Sequence, residues 1–99
     1  MATPEGVVKR EIAKTLKKLG VFYYMPVQNG MGRTGIPDFV VCINGKFLGI
    51  EAKAPGKANN LSANQIQVQK EIAQAGGYYL VISTVEEARD FLLTFAAFA

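Results

Sequence analysis

The stretch DFVVCINGKFLGIEAK, residues 38–53, decides the fold. It holds two strand-like runs, Asp38 to Ile43 and Lys46 to Lys53, on either side of Asn44 and Gly45. Asn-Gly between apolar runs is a strong hairpin signal, because a two-residue type I′ turn needs positive φ at both central positions. Both faces of these runs carry apolar residues, so a central hairpin with cover on each side is expected. With Ile43 facing Lys46, opposed residue numbers add to 89 and Asp38 lies directly across from Glu51. Side chains paired in this way have Cβ atoms about 4.5–5.5 Å apart on one face. Lys53, two residues beyond Glu51, points to the same face.

Working outward, Thr3, Pro4 and Glu5 read as a helix start: a capping hydroxyl, a proline in the first turn and an acid at the positive end of the dipole. Val8, Ile12, Leu16 and Leu19 then fall on one apolar face, and Gly20 ends the helix. Val21 to Val27 reads as a strand with Pro26 near its end. Gln28 to Gly35 (QNGMGRTG) and Ala54 to Asn60 read as loops. Ser62 with Gln65 forms a capping box for a helix ending at Ala75, before Gly76 and Gly77. Tyr78 to Ser83 is a strand expected to run parallel to its predecessor, because a helix connects the two. Thr84 and Glu87 cap a last helix with a seam of Val85, Ala88, Leu92 and Phe95. The expected order is α-β-β-β-α-β-α, a single α/β domain over residues 1–99 with a central mixed sheet flanked by helices.

Composition narrows the chemistry. The chain has no histidine and one cysteine, Cys42, so Ser-His triads, Cys–His pairs and His- or Cys-built zinc sites are excluded. Cys42 itself, between apolar neighbours, reads as a core thiol. No apolar run reaches the roughly 18 residues of a membrane span, and the charged start MATPEGVVKREIAK does not read as a signal peptide. A cytoplasmic protein with no membrane partner is expected. The net charge of +3 hides an asymmetry. Residues 1–57 carry nine basic and four acidic side chains, and residues 58–99 carry two and four. The first helix bears a basic stripe of Arg10, Lys14, Lys17 and Lys18 that suits either a solvated face or a polyanion.

Two carboxylates opposed in a partly buried sheet repel one another. A hard divalent cation resolves that conflict, and a neighbouring lysine can then position water or stabilise charge on a phosphate. The competing reading is a structural salt bridge of Lys53 with Glu51 or Asp38. Loops on both sides of the pair favour a site, since α/β folds place sites where central strands end.

Gly35-Ile-Pro-Asp38 followed by Ile50-Glu-Ala-Lys53 resembles the P-D…E-x-K signature of the restriction-endonuclease-like superfamily, PD-(D/E)XK. With Glu5 before it and Leu61-Ser-Ala-Asn-Gln65 after it, the chain is similar to the VRR-NUC branch, in a stand-alone phage or bacterial form. The resemblance implies a Mg²⁺- or Mn²⁺-dependent DNA endonuclease. Asp38, Glu51 and the Ala52 carbonyl would hold the metal, Lys53 would orient water, and Glu5 and Gln65 would lie in the outer site. It also implies a homodimer that cuts branched DNA such as four-way (Holliday) junctions. Alternatives are a restriction- or repair-type nuclease on duplex DNA, and a module that binds branched DNA without cutting. Glu5 and Gln65 also have plain roles as a helix-start acid and a capping partner. Arg33 and Lys57 on loops, with Lys14 and Lys18 on the first helix, are candidate phosphate contacts. Tyr23 and Tyr24 suit packing or base stacking. Surplus apolar residues on the last helix, Leu93, Ala96 and Phe98, suit a dimer surface.

Overall fold

In the computed structural model the described residues are 2–28 and 30–99; Met1 and, within the expected glycine-rich loop, Asn29 lie outside them. The elements are α1 (Pro4–Leu19), β1 (Phe22–Tyr24), β2 (Phe39–Ile43), β3 (Lys46–Ala52), α2 (Ala63–Gln74), β4 (Tyr78–Ile82) and α3 (Val85–Phe98). This is the order α-β-β-β-α-β-α expected from the sequence. Local chemistry sets the helix ends. The Thr3 hydroxyl accepts the Gly6 N–H at 3.0 Å, and Gly20 closes α1 at a left-handed φ of 69°.

The strands form one sheet in the order β1-β2-β3-β4, antiparallel except for the parallel β3–β4 pair. Asn44 (φ 52°) and Gly45 (φ 76°) make the positive-φ turn, and the register pairs Phe39 with Ile50 and Ile43 with Lys46, as the hairpin reading requires. The Asn44 side chain donates to the Ala96 carbonyl at 3.0 Å, which ties the hairpin tip to the end of α3.

One sheet face is deeply covered. Val8, Ile12 and Leu16 of α1 and Ala88 and Leu92 of α3 pack on Phe39, Val41, Ile43, Leu48, Ile50, Ala52 and Ile82. The other face is covered by α2, whose single buried residue is Val68, and by the chain just before β2. Cover on that side is therefore partial, and two expectations change. Cys42 is an exposed thiol, not a core one, because the even-numbered β2 residues face the thinly covered side. Strand β1 spans three residues where Val21 to Val27 was expected. Its pairing reaches Tyr24 with Val40, and β2 leaves the sheet just beyond, at Asp38. Tyr23 packs on the core while Tyr24 is exposed. On α3, Leu93 and Phe98 are exposed, but Ala96 packs against the core.

The segment Gly35–Asp38 straps across the thin face and aims the carboxylate. A Cβ on Gly35, at φ 82°, would lie 2.5 Å from the Asn64 backbone, so only glycine lets the strap rest on the start of α2. Asn64 Nδ2 donates to the Thr34 hydroxyl at 2.9 Å at the same junction. The Pro37 ring then sits over Gly49, where a Cβ would meet it at 2.8 Å.

Gly35→Ala combines a strained φ with a backbone collision, so it is expected to destabilise the fold by more than about 1 kcal/mol. Gly32→Ala, with ordinary φ and nothing within 4 Å of the added carbon, is the control and should leave the urea midpoint unchanged.

Candidate functional site

The site grows out of the open end of the hairpin. With a two-residue turn the hydrogen-bonded pairs fall at 43–46, 41–48 and 39–50, and the next would be 37–52. Position 37 is proline and the chain has already left the strand. The Asp38 side chain takes over instead: its Oδ2 accepts the Ala52 N–H at 2.9 Å. The N–H and C=O of one strand residue point the same way, so the Ala52 carbonyl is also directed to the β2 side. Pro37 has no N–H to offer it. Lys53, the next residue, turns to the other side and donates its N–H to the Ile82 carbonyl at 2.9 Å.

Glu51 is 4 % exposed, and its Oε2 is buried with no hydrogen-bond partner. Burial, then hydrogen bonding to Asp38 and the Asp38 charge, push its pKa up to about 8, while Lys53 acts in the opposite direction. Asp38 Oδ1 lies 3.6 Å from the Lys9 ammonium, which also pairs with Glu5 at 3.3 Å one turn back on α1. Burial works against the Lys9 charge, but Asp38 and Glu5 outweigh it and leave the ammonium above its ordinary pKa.

Lys53 does not make the salt bridge that was the rival reading. Its Nζ donates to Gln65 Oε1 at 3.2 Å, and among the described residues Asp38 pairs with Lys9 instead. The same Gln65 oxygen accepts the Ser62 N–H at 2.9 Å, and the Ser62 hydroxyl accepts the Gln65 N–H at 3.1 Å. Gln65 is thus both capping partner and site residue: the box that starts α2 holds the oxygen that steers Lys53. Glu5 reaches the pair through Lys9, and its charge contributes to the raised pKa of Glu51.

The expected phosphate contacts are spread out. Arg33 pairs with Glu71 of α2 and lines a groove of about 510 Å³ with Tyr24, Pro37 and Phe47, next to the strap. Lys57 is exposed on the loop after β3. Lys14 and Lys18 line a cleft between α1 and α3 with Glu11 and Arg89, further along α1 than Lys9. Two residues near the carboxylates were not singled out from the sequence, Lys9 and Tyr79. Lys9 follows Glu5 at the i,i+4 spacing, which was the available signal. Tyr79 pairs with Gly49 in the parallel register, two residues before the partner of Glu51, and its buried hydroxyl has no partner.

Among the described residues no cluster of three or more His, Cys, Asp or Glu side chains is assembled. A cation would therefore rest on two carboxylates, one backbone carbonyl and water. That all-oxygen set suits Mg²⁺ or Mn²⁺ rather than a softer ion. The unpartnered Glu51 oxygen, aimed beside Asp38, fits such an ion.

The raised Glu51 pKa sets a pH dependence. The folded value of about 8 lies above the ordinary 4.5, so the native state holds the proton more tightly than the unfolded chain. The contribution is complete below about 4.5 and is lost as pH rises through about 8. In the absence of divalent ions, Glu51→Gln should match wild type at pH 5. By pH 8.5 it should melt at least about 4 °C higher, as followed by circular dichroism. Parallel melting curves of the two proteins across that range would contradict the assignment.

No protein-family model matches the chain, and the search of curated proteins returns no match.

Proposed function

We propose that this chain is a Mg²⁺- or Mn²⁺-dependent DNA endonuclease that hydrolyses phosphodiester bonds in branched DNA such as a four-way junction, acting as a homodimer in the cytoplasm of a bacterial or phage-infected cell. The observation that carries the reading is the buried, unpartnered Glu51 oxygen beside Asp38, with Lys53 steered by Gln65 at the same strand end. Such a pair is costly to bury and gains no hydrogen-bond energy from that oxygen, which is understandable where a cation is bound. The resemblance to P-D…E-x-K nucleases agrees with it position by position, from Glu5 to Gln65.

Asp38, Glu51 and the Ala52 carbonyl would hold the ion, which supplies Lewis-acid polarisation of the phosphate and a more acidic water. The protein residues supply the rest. Gln65 takes one of the Lys53 ammonium hydrogens, leaving two to orient the attacking water and offset charge on the phosphate oxygens. The strap from Gly35 to Asp38 and the Asp38–Ala52 bond keep the ligands in place before substrate arrives, so little reorganisation is needed at the moment of attack. Lys9 balances Asp38 and Glu5 in a neighbourhood that would otherwise be strongly negative.

Affinity for DNA would come from sequence-independent phosphate contacts by Arg33 and Lys57 on loops, and by Lys14 and Lys18 on the α1–α3 side. The exposed Leu93 and Phe98 of α3 suit a two-fold contact, and two-fold symmetry suits paired cuts.

Cleavage of end-labelled four-way junction and linear duplex by wild type and Glu51→Ala, in Mg²⁺, Mn²⁺ or EDTA, tests this reading. Paired cuts in the junction are expected, abolished by EDTA and reduced at least about 100-fold in the variant. Equal cutting of the duplex would replace junction selectivity with restriction- or repair-type activity. Junction binding without cutting under either metal would contradict the nuclease reading and leave a binding module.

A further inference from the structure

Among the described residues, two buried side-chain oxygens have no hydrogen-bond partner: Glu51 Oε2 and the Tyr79 hydroxyl. They are not scattered. Glu51 pairs with Val81 and Gly49 with Tyr79 across the parallel β3–β4 ladder, so Tyr79 is a diagonal neighbour of Glu51 on the same sheet face. Diagonal neighbours have Cα atoms roughly 7–8 Å apart, within reach of long and aromatic side chains. Gly49, the direct partner of Tyr79, carries no side chain, and the Pro37 ring lies over it. A phenol carries its proton at neutral pH, so the Tyr79 hydroxyl is available as a donor. An ionised carboxylate can only accept. The two unpartnered atoms are therefore chemically complementary.

We infer that Tyr79 is a positioning residue for the divalent-cation site, its hydroxyl serving as the outer hydrogen-bond partner that orients the Glu51 carboxylate toward the ion. The inference rests on the proposed metal-dependent function and adds a residue that the P-D…E-x-K spacing does not include. Phenylalanine at position 79 would keep the aromatic ring and remove only the donor. Outer partners of metal ligands typically contribute 10–100-fold to affinity. Tyr78 is a natural control, because its ring faces the opposite side and packs edge-on against Phe95 at 5.2 Å.

The test is Mn²⁺ affinity by isothermal titration, without DNA, for wild type, Tyr79→Phe and Tyr78→Phe. The expected result is about tenfold weaker Mn²⁺ binding by Tyr79→Phe and no change for Tyr78→Phe. A second measurement needs no variant to bind: in wild type labelled with 3-fluorotyrosine, Mg²⁺ should move the fluorine resonance of Tyr79 and leave that of Tyr78 in place. Equal Mn²⁺ affinity for wild type and Tyr79→Phe, with an unmoved Tyr79 resonance, would overturn the role of Tyr79 while leaving the nuclease reading intact. Failure of wild type to bind Mn²⁺ at all would overturn both the metal reading and this inference.

Discussion

The bond from the Ala52 N–H to the Asp38 carboxylate is the contact on which the site depends. It completes the β2–β3 ladder at the position where Pro37 has taken the backbone out of register. A backbone partner there would have extended the hairpin by one pair. A side-chain partner instead brings a carboxylate to the end of β2, beside Glu51, and leaves the Ala52 carbonyl without a ladder donor. The strap that delivers Asp38 is held at one end by the close approach of Gly35 to Asn64 and at the other by Pro37 over Gly49. The glycines and the proline around Asp38 therefore have mechanical reasons that precede any chemistry.

The electrostatics follow from this geometry. Two carboxyl groups share one strand end, and the more buried of them, Glu51, pays in a raised proton affinity. The two nearby ammonium groups do not neutralise it directly. Lys9 is committed to Glu5 and Asp38, and Lys53 is drawn to Gln65. A fold selected for stability alone would pair Lys53 with Glu51 or replace Glu51 with an apolar residue. On the proposed reading, retaining this buried pair with a lysine held just aside trades stability for a cation and a reacting phosphate.

Much of this was legible in the chain. The Asn44-Gly45 turn dictates the register, and the register dictates that Asp38 meets Glu51 on one face. The capping box made Gln65 visible, and the structure shows its carbonyl oxygen filling the capping and lysine-steering roles together. What the sequence did not reveal depends on how elements dock. Lys9 reaches Asp38 only because α1 docks on the core face of the sheet, and no local pattern encodes that contact. Tyr79 needs the parallel β3–β4 register, which a helical crossover leaves undetermined. The exposure of Cys42 is not legible in the sequence because alternation along a strand assigns a face but not how fully a helix covers it, and α2 buries only Val68 there.

The Asp38–Glu51 pair is either a cation site, as proposed, or a carboxyl pair sharing a proton. Anomalous diffraction from crystals grown with Mn²⁺ at neutral pH distinguishes the two most directly. A cation site gives one strong Mn peak within coordination distance of an oxygen from each of Asp38 and Glu51, with the Ala52 carbonyl as a further ligand. Well-ordered Asp38 and Glu51 carboxyls hydrogen-bonded to each other, with no Mn peak between them, would contradict it.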